Sequence, residues 1–459
     1  MIRTILLWSL IGFMPLSAVA APKVHEYTLD NGLKLIVKED HRAPVVVSQV
    51  WYKVGSSYEH NGTTGISHAL EHMMFKGTKK HPAGEFSRII AANGGEENAF
   101  TSRDYTAYFQ KLEAKRLRIS FQLEADRMRN LLLRKKDFAK EIRVVMEERR
   151  LRTEDRPTAL TYERFLAAAF ISNPYRIPTI GWMNDLTHLK AADLRNWYHH
   201  WYGPNNATLV VVGDVNPEHV YELAKEYFGP VPRIDVVPPR PQVEPPERGT
   251  RRITVKAPAQ LPYLIMGYHV PVLKTANAAW EPYALEVLGG ILAGGDSARL
   301  PSRLVRGSGV ATSADAGYDL YSRMGDLFLF DGVPAQGKTP ADLEQAIRAQ
   351  IKDLQDKPVT AAELERVKAQ VVAGNVFQRD SVFYQAMQIG MLESVGLDWR
   401  VADKYVDRIR AVTPEQVRAV AKKYLNDDRL TVAVLDPQPM GKKRPRPMMP
   451  ELEGHSDVR

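Results

Sequence analysis

The chain has 459 residues, 44% of them hydrophobic and 25% charged, enough for two well-filled domains and unlike fibrous or disordered classes. Its formal net charge of +8 is spread along the chain apart from Lys442-Lys443-Arg444, which reads as a solvated basic surface and not as a nucleic-acid site. With no cysteine, disulfides, thiolate metal sites and cysteine nucleophiles are excluded, and any metal must be held by histidine and carboxylate.

The first twenty residues carry Arg3, an apolar run from Ile5 to Leu16 and the small-residue pattern Ala18-Val19-Ala20. This predicts a leader over 1–20, a mature chain from Ala21, and export, to the periplasm in a two-membrane bacterium. The run is short and broken by Pro15, and no later apolar stretch is long enough to predict a membrane span. Tyr27-Thr28-Leu29 and Leu33 to Val37 flank Asp30-Asn31-Gly32, a hairpin signal, and Val45 to Val54 reads as a third strand. After the break Gly62-Thr63-Thr64-Gly65, the stretch His68-Ala69-Leu70-Glu71-His72 is expected on a helix. Glu85 to Asn93 reads as another helix, ended by Gly94-Gly95. Asn98 to Thr101 and Thr106 to Phe109 read as short strands, and Glu113 to Leu132 and Lys136 to Thr153 as long helices that stop before Pro157.

Leu189 to Gly213 and Val412 to Asp436 align without a gap at an offset of 223 residues, pairing Leu194 with Val417, Arg195 with Arg418, and Val211 with Val434. Each reads as helix, polar turn and strand, so the chain is expected to hold two copies of one α/β unit. The expected boundaries are 21–232 for the first domain, 233–250 for a Pro-rich linker, 251–437 for the second domain and 438–459 for a tail.

On a helix, His68 and His72 project from one face and Glu71 lies beside them, the inverted order of a zinc-hydrolase motif. Two histidines need a third ligand. The helix Lys136 to Thr153 supplies Glu141, Glu147 and Glu148, of which Glu141 and Glu148 share a face; Glu148 is the candidate ligand and Glu141 the acceptor behind a ligand histidine. Surface pairing with the arginines of that helix is the competing explanation.

Taken together, His68-x-x-Glu71-His72 with Phe75-Lys76-Gly77-Thr78, Glu97-Asn98-Ala99-Phe100-Thr101 with Thr106 and Tyr108, and Glu141 through Val144-Val145 to Glu148 resemble the pitrilysin or insulinase family of metallopeptidases. The resemblance is to its short two-domain branch, which includes mitochondrial processing peptidase. It implies an α+β fold of two homologous α/β sandwich domains, with mainly antiparallel sheets and helices. It implies one Zn2+ per chain on His68, His72 and Glu148, Glu141 as a supporting carboxylate, and Glu71 as the general base of peptide hydrolysis. Asn98, Ala99 and Phe100 would belong to a strand that pairs with an extended peptide.

One departure bears on partners. Members that complete the site in one chain carry an Arg and a Tyr around a Gly-Leu-Ala segment of the second domain. Aligning on Gly309-Val310-Ala311 puts Val305 and Thr312 at those positions, with Arg303, Arg306 and Tyr318 nearby out of register. This resembles the zinc-bearing member of a two-chain enzyme, so a homologous subunit supplying the pair is expected, as a heterodimer or a homodimer. Two rivals are a zinc-stabilised subunit that holds peptide or a partner without cleaving, and a phosphate loop at Gly332 to Thr339. The loop fits G-x-x-x-x-G-K-[ST], but Pro340 after Thr339 starts the helix too late for its amides to face a phosphate.

Overall fold

The computed structural model describes residues 23–240 and 242–440, so the expected leader, the Ala21 start and the tail from 441 onward lie outside the described residues. Among those described, no helix is long and apolar enough to cross a membrane.

The first half runs β1 (Val24–Thr28), β2 (Lys34–Glu39), β3 (Val45–Tyr52), α1 (Ile66–Met73), α2 (Glu85–Ala92), β4 (Glu96–Thr101), β5 (Thr106–Glu113), α3 (Leu117–Asn130), α4 (Lys135–Arg149), α5 (Pro157–Ala169), α6 (Met183–His188), α7 (Ala191–Trp201), β6 (Ala207–Gly213) and α8 (Pro217–Tyr227). The second runs β7 (Arg251–Pro258), β8 (Tyr263–Val270), α9 (Glu281–Ala293), β9 (Ala311–Gly317), β10 (Asp326–Pro334), α10 (Pro340–Asp356), α11 (Ala361–Gln378), α12 (Val382–Ser394), α13 (Tyr405–Arg410), α14 (Pro414–Tyr424) and β11 (Leu430–Gln438).

The sheets have the orders β1-β2-β6-β3-β5-β4 and β7-β11-β8-β10-β9. Position by position they match, β2-β6 and β7-β11 being the parallel pairs, with β1 an additional edge strand. The chain is thus an α+β protein of two similar units. The aligned segments form the same helix, 3-10 turn and strand, and their paired arginines act alike. Arg195 donates to Leu133 O (3.1 Å) after α3, and Arg418 to Gln355 O (2.8 Å) in the last turn of α10.

Two expected elements shift. Glu113 ends β5 instead of starting a helix, because its pairing with Val45 on the eight-residue β3 outweighs the helix-forming run that follows. The hairpin turn is longer than two residues: Gly32 alone takes positive φ (86°), while the Asn31 amide donates to Phe228 O (2.7 Å) and Val231 O (2.9 Å).

Strand alternation sends each sheet's residues to two cores. In the first sheet Leu35, Val37, Leu209 and Val211 face the helices of their own half. Ile36, Val47, Trp51, Val210 and Val212 face Ala386 and Ile389 of α12, from the second half. Reciprocally, Phe165 and Ala169 of α5 cover Ile265, Leu327 and Ala433 of the second sheet. This exchange explains why β6, Ala-Thr-Leu-Val-Val-Val-Gly, is apolar without alternation: both its faces are buried. Gly390 marks the crossing, since a Cβ there would lie 2.1 Å from the Trp51 indole. Between α8 and β7 the described residues form no helix or strand, but Glu244 accepts the N–H groups of Ile171 (2.7 Å), Ser172 (3.0 Å) and Asn173 (2.7 Å).

Candidate metal centre

Helix α1 is short and buried at every position, and it carries His68, Glu71 and His72. What fixes its start is a carboxylate from the preceding loop. Glu59, 3% exposed, accepts the N–H of Gly65 (2.6 Å) and of Ser67 (2.9 Å), satisfying first-turn donors that have no helical partner. Burial pushes its carboxyl up to about 8, against the lowering effect of those two N–H donors. Asp185 holds the loop itself, accepting from Gly62 N (3.0 Å), Thr64 N (3.2 Å) and Thr64 Oγ1 (2.6 Å). Gly65 has φ 82°, and a Cβ there would meet Ile180 O at 2.6 Å, so both conformation and close approach demand glycine. Replacing Glu59 with alanine should cost about 1–3 kcal/mol for each orphaned N–H, read as a lowered urea midpoint, with Glu59→Gln losing less because it keeps an acceptor.

Helix α4 brings Glu148 against α1. Its Oε2 lies 3.2 Å from His72 Nε2 and 3.6 Å from His68 Nε2, while its Oε1 is held by Arg152 at 2.9 Å. One ligand atom from each of the three residues lies within 4.8 Å of the others. A tetrahedral ion with bonds of about 2.0–2.2 Å places its ligand atoms roughly 3.4 Å apart, so the Glu148 contacts are of the length that zinc requires. Two imidazoles and a carboxylate are also a donor set suited to it. On the other ring nitrogen, His72 Nδ1 lies 3.1 Å from Glu141 Oε1, whose second oxygen is paired with Lys76 at 2.7 Å. The two carboxylates therefore do different work, one facing the ion position and one fixing the imidazole from behind. Burial opposes charge on these groups, but the hydrogen bonds to Glu141 and Glu148 outweigh it and hold His72 up at about 9. For Glu148, the hydrogen bond with His72 and the nearby charges of His68, His72 and Arg152 outweigh burial and hold the carboxyl down at about 2.

Glu71 is 7% exposed and accepts a hydrogen bond from Thr101 Oγ1 at the end of β4. Among the described residues, strand β4 pairs with β5 alone, leaving its outer edge free of strand neighbours. Asn98, Ala99 and Phe100 on it line a cavity of about 600 Å³ together with His68, Glu71, His72 and Glu148. Asn98 folds its side chain back, with Oδ1 accepting Ala99 N at 2.8 Å. The opposite wall comes from Ala159, Tyr162 and Leu166 of α5 and from Ile177 to Ile180. All residues lining this cavity lie between positions 68 and 180, so the second half contributes none among the described residues.

The second-half residues considered above are engaged elsewhere. Val305 packs on the second core, Thr312 Oγ1 donates to Val333 O (3.2 Å), Tyr318 donates to Pro271 O (2.6 Å), and Arg303 meets Asp353 (3.1 Å). In the Gly332 to Thr339 stretch, Gly332 sits in β10 opposite Leu264, and Thr339 caps α10 in a reciprocal pair with Asp342. Glu59, Asp185 and the Thr101 hydroxyl have no role assigned from sequence, because loop and strand-end contacts carry no periodic signal, whereas Arg152 is visible there only as a surface i,i+4 partner of Glu148.

The family described as Insulinase (Peptidase family M16) matches residues 34–181, and the one described as Peptidase M16 inactive domain matches residues 188–371. The chain is 36% identical over 351 residues to a protein named zinc protease PqqE from Helicobacter pylori, covering 76% of this chain and 78% of that protein. A crystal structure of a protease from Helicobacter pylori superposes with a TM-score of 0.86 at 32% identity, over 91% of this chain and all of that one. The fold also matches the periplasmic protease PqqL from Escherichia coli, with a TM-score of 0.76 at 19% identity, over 91% of this chain and 48% of that chain.

Proposed function

The chain belongs to the insulinase family, peptidase family M16, and on that premise we propose that it is a zinc-dependent endopeptidase acting on peptides or unfolded segments. The observation that carries this is the grouping of His68, His72 and Glu148 with Glu71 at the free edge of β4. His68, His72 and Glu148 would hold the ion, and Glu141 would fix the His72 ring. When bound, zinc lowers the pKa of its water toward about 7 and polarises a carbonyl oxygen.

The chain's own residues do the rest. The free edge of β4 pairs with the backbone of an extended peptide and lays the scissile bond beside Glu71. Glu71 takes the proton of the attacking water and returns it to the leaving amine. Thr101 keeps the Glu71 carboxylate aimed at that water. We further propose that the active form is a dimer in which a homologous subunit supplies the missing Arg and Tyr. The support is that the cavity takes no lining residue from the second half among the described residues, and that Val305 and Thr312 stand where the pair would be. Those groups would stabilise the oxyanion. The match of this fold to about half of a longer chain is compatible with two such units working together. Export to the periplasm, with removal of residues 1–20, is part of the proposal and rests on the leader pattern.

The test is to assay the purified chain on an unfolded peptide alone and with a homologous subunit that lacks His-x-x-Glu-His but keeps the Arg and Tyr. A rate raised by about 10²-fold or more on mixing is expected, in line with the loss from removing an oxyanion donor. Full activity alone, unchanged by the second subunit, contradicts the dimer assignment.

A further inference from the structure

Among the described residues the second half lines none of the cavity, yet it grips the turn on which β4 ends. That turn, residues 102–105, carries Asp104, which is 4% exposed. Asp104 accepts from Tyr175 Oη, from Ser57 Oγ (2.7 Å), from Arg323 Nε (3.0 Å) and from Arg323 N (3.2 Å). Arg103 lies 4.1 Å over the Tyr175 ring and forks onto Asp326 at 3.2 and 2.7 Å. Arg323 lies just before β10, and Asp326 is its first residue.

Arg323 reaches a second segment as well. Its Nη2 donates to Ser57 Oγ at 2.8 Å and its guanidinium lies 4.4 Å from the Tyr58 ring centroid. Residues 56 and 57 are bonded to the turn in their own right, Ser56 N to Ser102 O (3.2 Å) and Ser57 N to Arg103 O (2.8 Å). Two residues after Ser57 comes Glu59, which fixes the start of α1. Directly before the turn comes Thr101, whose hydroxyl meets Glu71. The two segments that converge on Glu71 are therefore held in one clamp, and one guanidinium from the other half closes it.

We propose that Arg323 is a positioning residue through which the second half sets where β4 lies relative to Glu71 and the metal centre. The second half then acts on its own chain's site from behind, through a planar fork that a looser cation would not reproduce. A change in how the halves pack at this turn reaches the peptide-pairing edge through this contact and the Arg103–Asp326 fork beside it. The inference rests on the peptidase reading only in taking β4 as the edge that holds peptide.

The test uses the full chain with zinc in a Glu71→Gln background, so that peptide is bound and not consumed. Binding of a fluorescent unfolded peptide and hydrogen exchange of the amides of residues 98–104 are measured for Arg323→Ala, Arg323→Lys and Lys34→Met. Lys34 pairs with Glu393 at 2.8 Å across the same seam but away from the turn, so it reports general loosening. Arg323→Ala should weaken peptide binding by about tenfold or more and speed exchange over 98–104, the effect of misplacing a binding edge. Arg323→Lys should recover part of both. Lys34→Met should match the parent, and zinc affinity and the Co2+ absorption spectrum should be the same in all. Unchanged exchange in Arg323→Ala overturns the proposal whatever the peptide result, as does an equal effect from Lys34→Met. A parent that binds no peptide contradicts the peptidase reading instead, and the exchange result still decides on Arg323.

Discussion

Replacing Glu71 with glutamine is expected to abolish peptide hydrolysis while leaving one zinc ion bound. The side chain lies beside the ion position but is not among the three groups that face it, so its charge is not needed to hold metal. Glutamine keeps the size of the group and an acceptor for Thr101, so α1 and its histidines stay in place. What it cannot do is take a proton from the attacking water, and general-base catalysis of that kind contributes roughly 10²–10⁴-fold. Steady-state kinetics with metal content measured on the same sample reads both sides. Retained hydrolysis would remove Glu71 as the base. A wild type that binds peptide and never cleaves it, even with a homologous subunit, would favour a peptide-holding role.

The second large effect separates the two glutamates of α4. Glu148→Ala removes one of the three proposed ligands and also leaves Arg152 without its 2.9 Å partner. Glu141→Gln leaves the ligand set intact and weakens only the support of His72, for which a loss of about 10–100-fold in metal affinity is typical. Chelator competition should therefore rank wild type above Glu141→Gln, and Glu141→Gln well above Glu148→Ala. An Glu148→Ala protein that binds zinc as tightly as Glu141→Gln would show that the third ligand has been misassigned.

How much of this is legible in the sequence depends on the range of the interaction. The spacing of His68, Glu71 and His72 is a local helical period and can be read directly. Glu148 is ambiguous because the structure gives it the contacts that each reading expects. Its Oε1 makes the i,i+4 pair with Arg152 that a surface helix would show, and its Oε2 faces the two histidines. Only the family resemblance separates these possibilities in advance. The duplication is legible because helix, turn and strand repeat together. The crossing of α5 and α12 onto each other's sheets is not, since a pattern of apolar residues says that a face is buried and not what covers it. Glu59, Asp185 and Arg323 leave no periodic trace, because their partners are loop groups (amides, hydroxyls and, for Arg323, the Asp104 carboxylate) whose spacing follows no helix or strand repeat. Asp185 lies 121 residues from Thr64, and Arg323 lies 219 from Asp104.

The central claim is that one zinc ion on His68, His72 and Glu148 makes the site hydrolytic. Its most direct measurement is the titration of metal-free protein, with any required homologous subunit present, by Zn2+ while cleavage of an unfolded peptide is followed. The account predicts activity that rises from zero and saturates at one equivalent per chain, and no such rise in Glu148→Ala. Cleavage by the metal-free protein, or zinc bound at one equivalent without any cleavage, would contradict it.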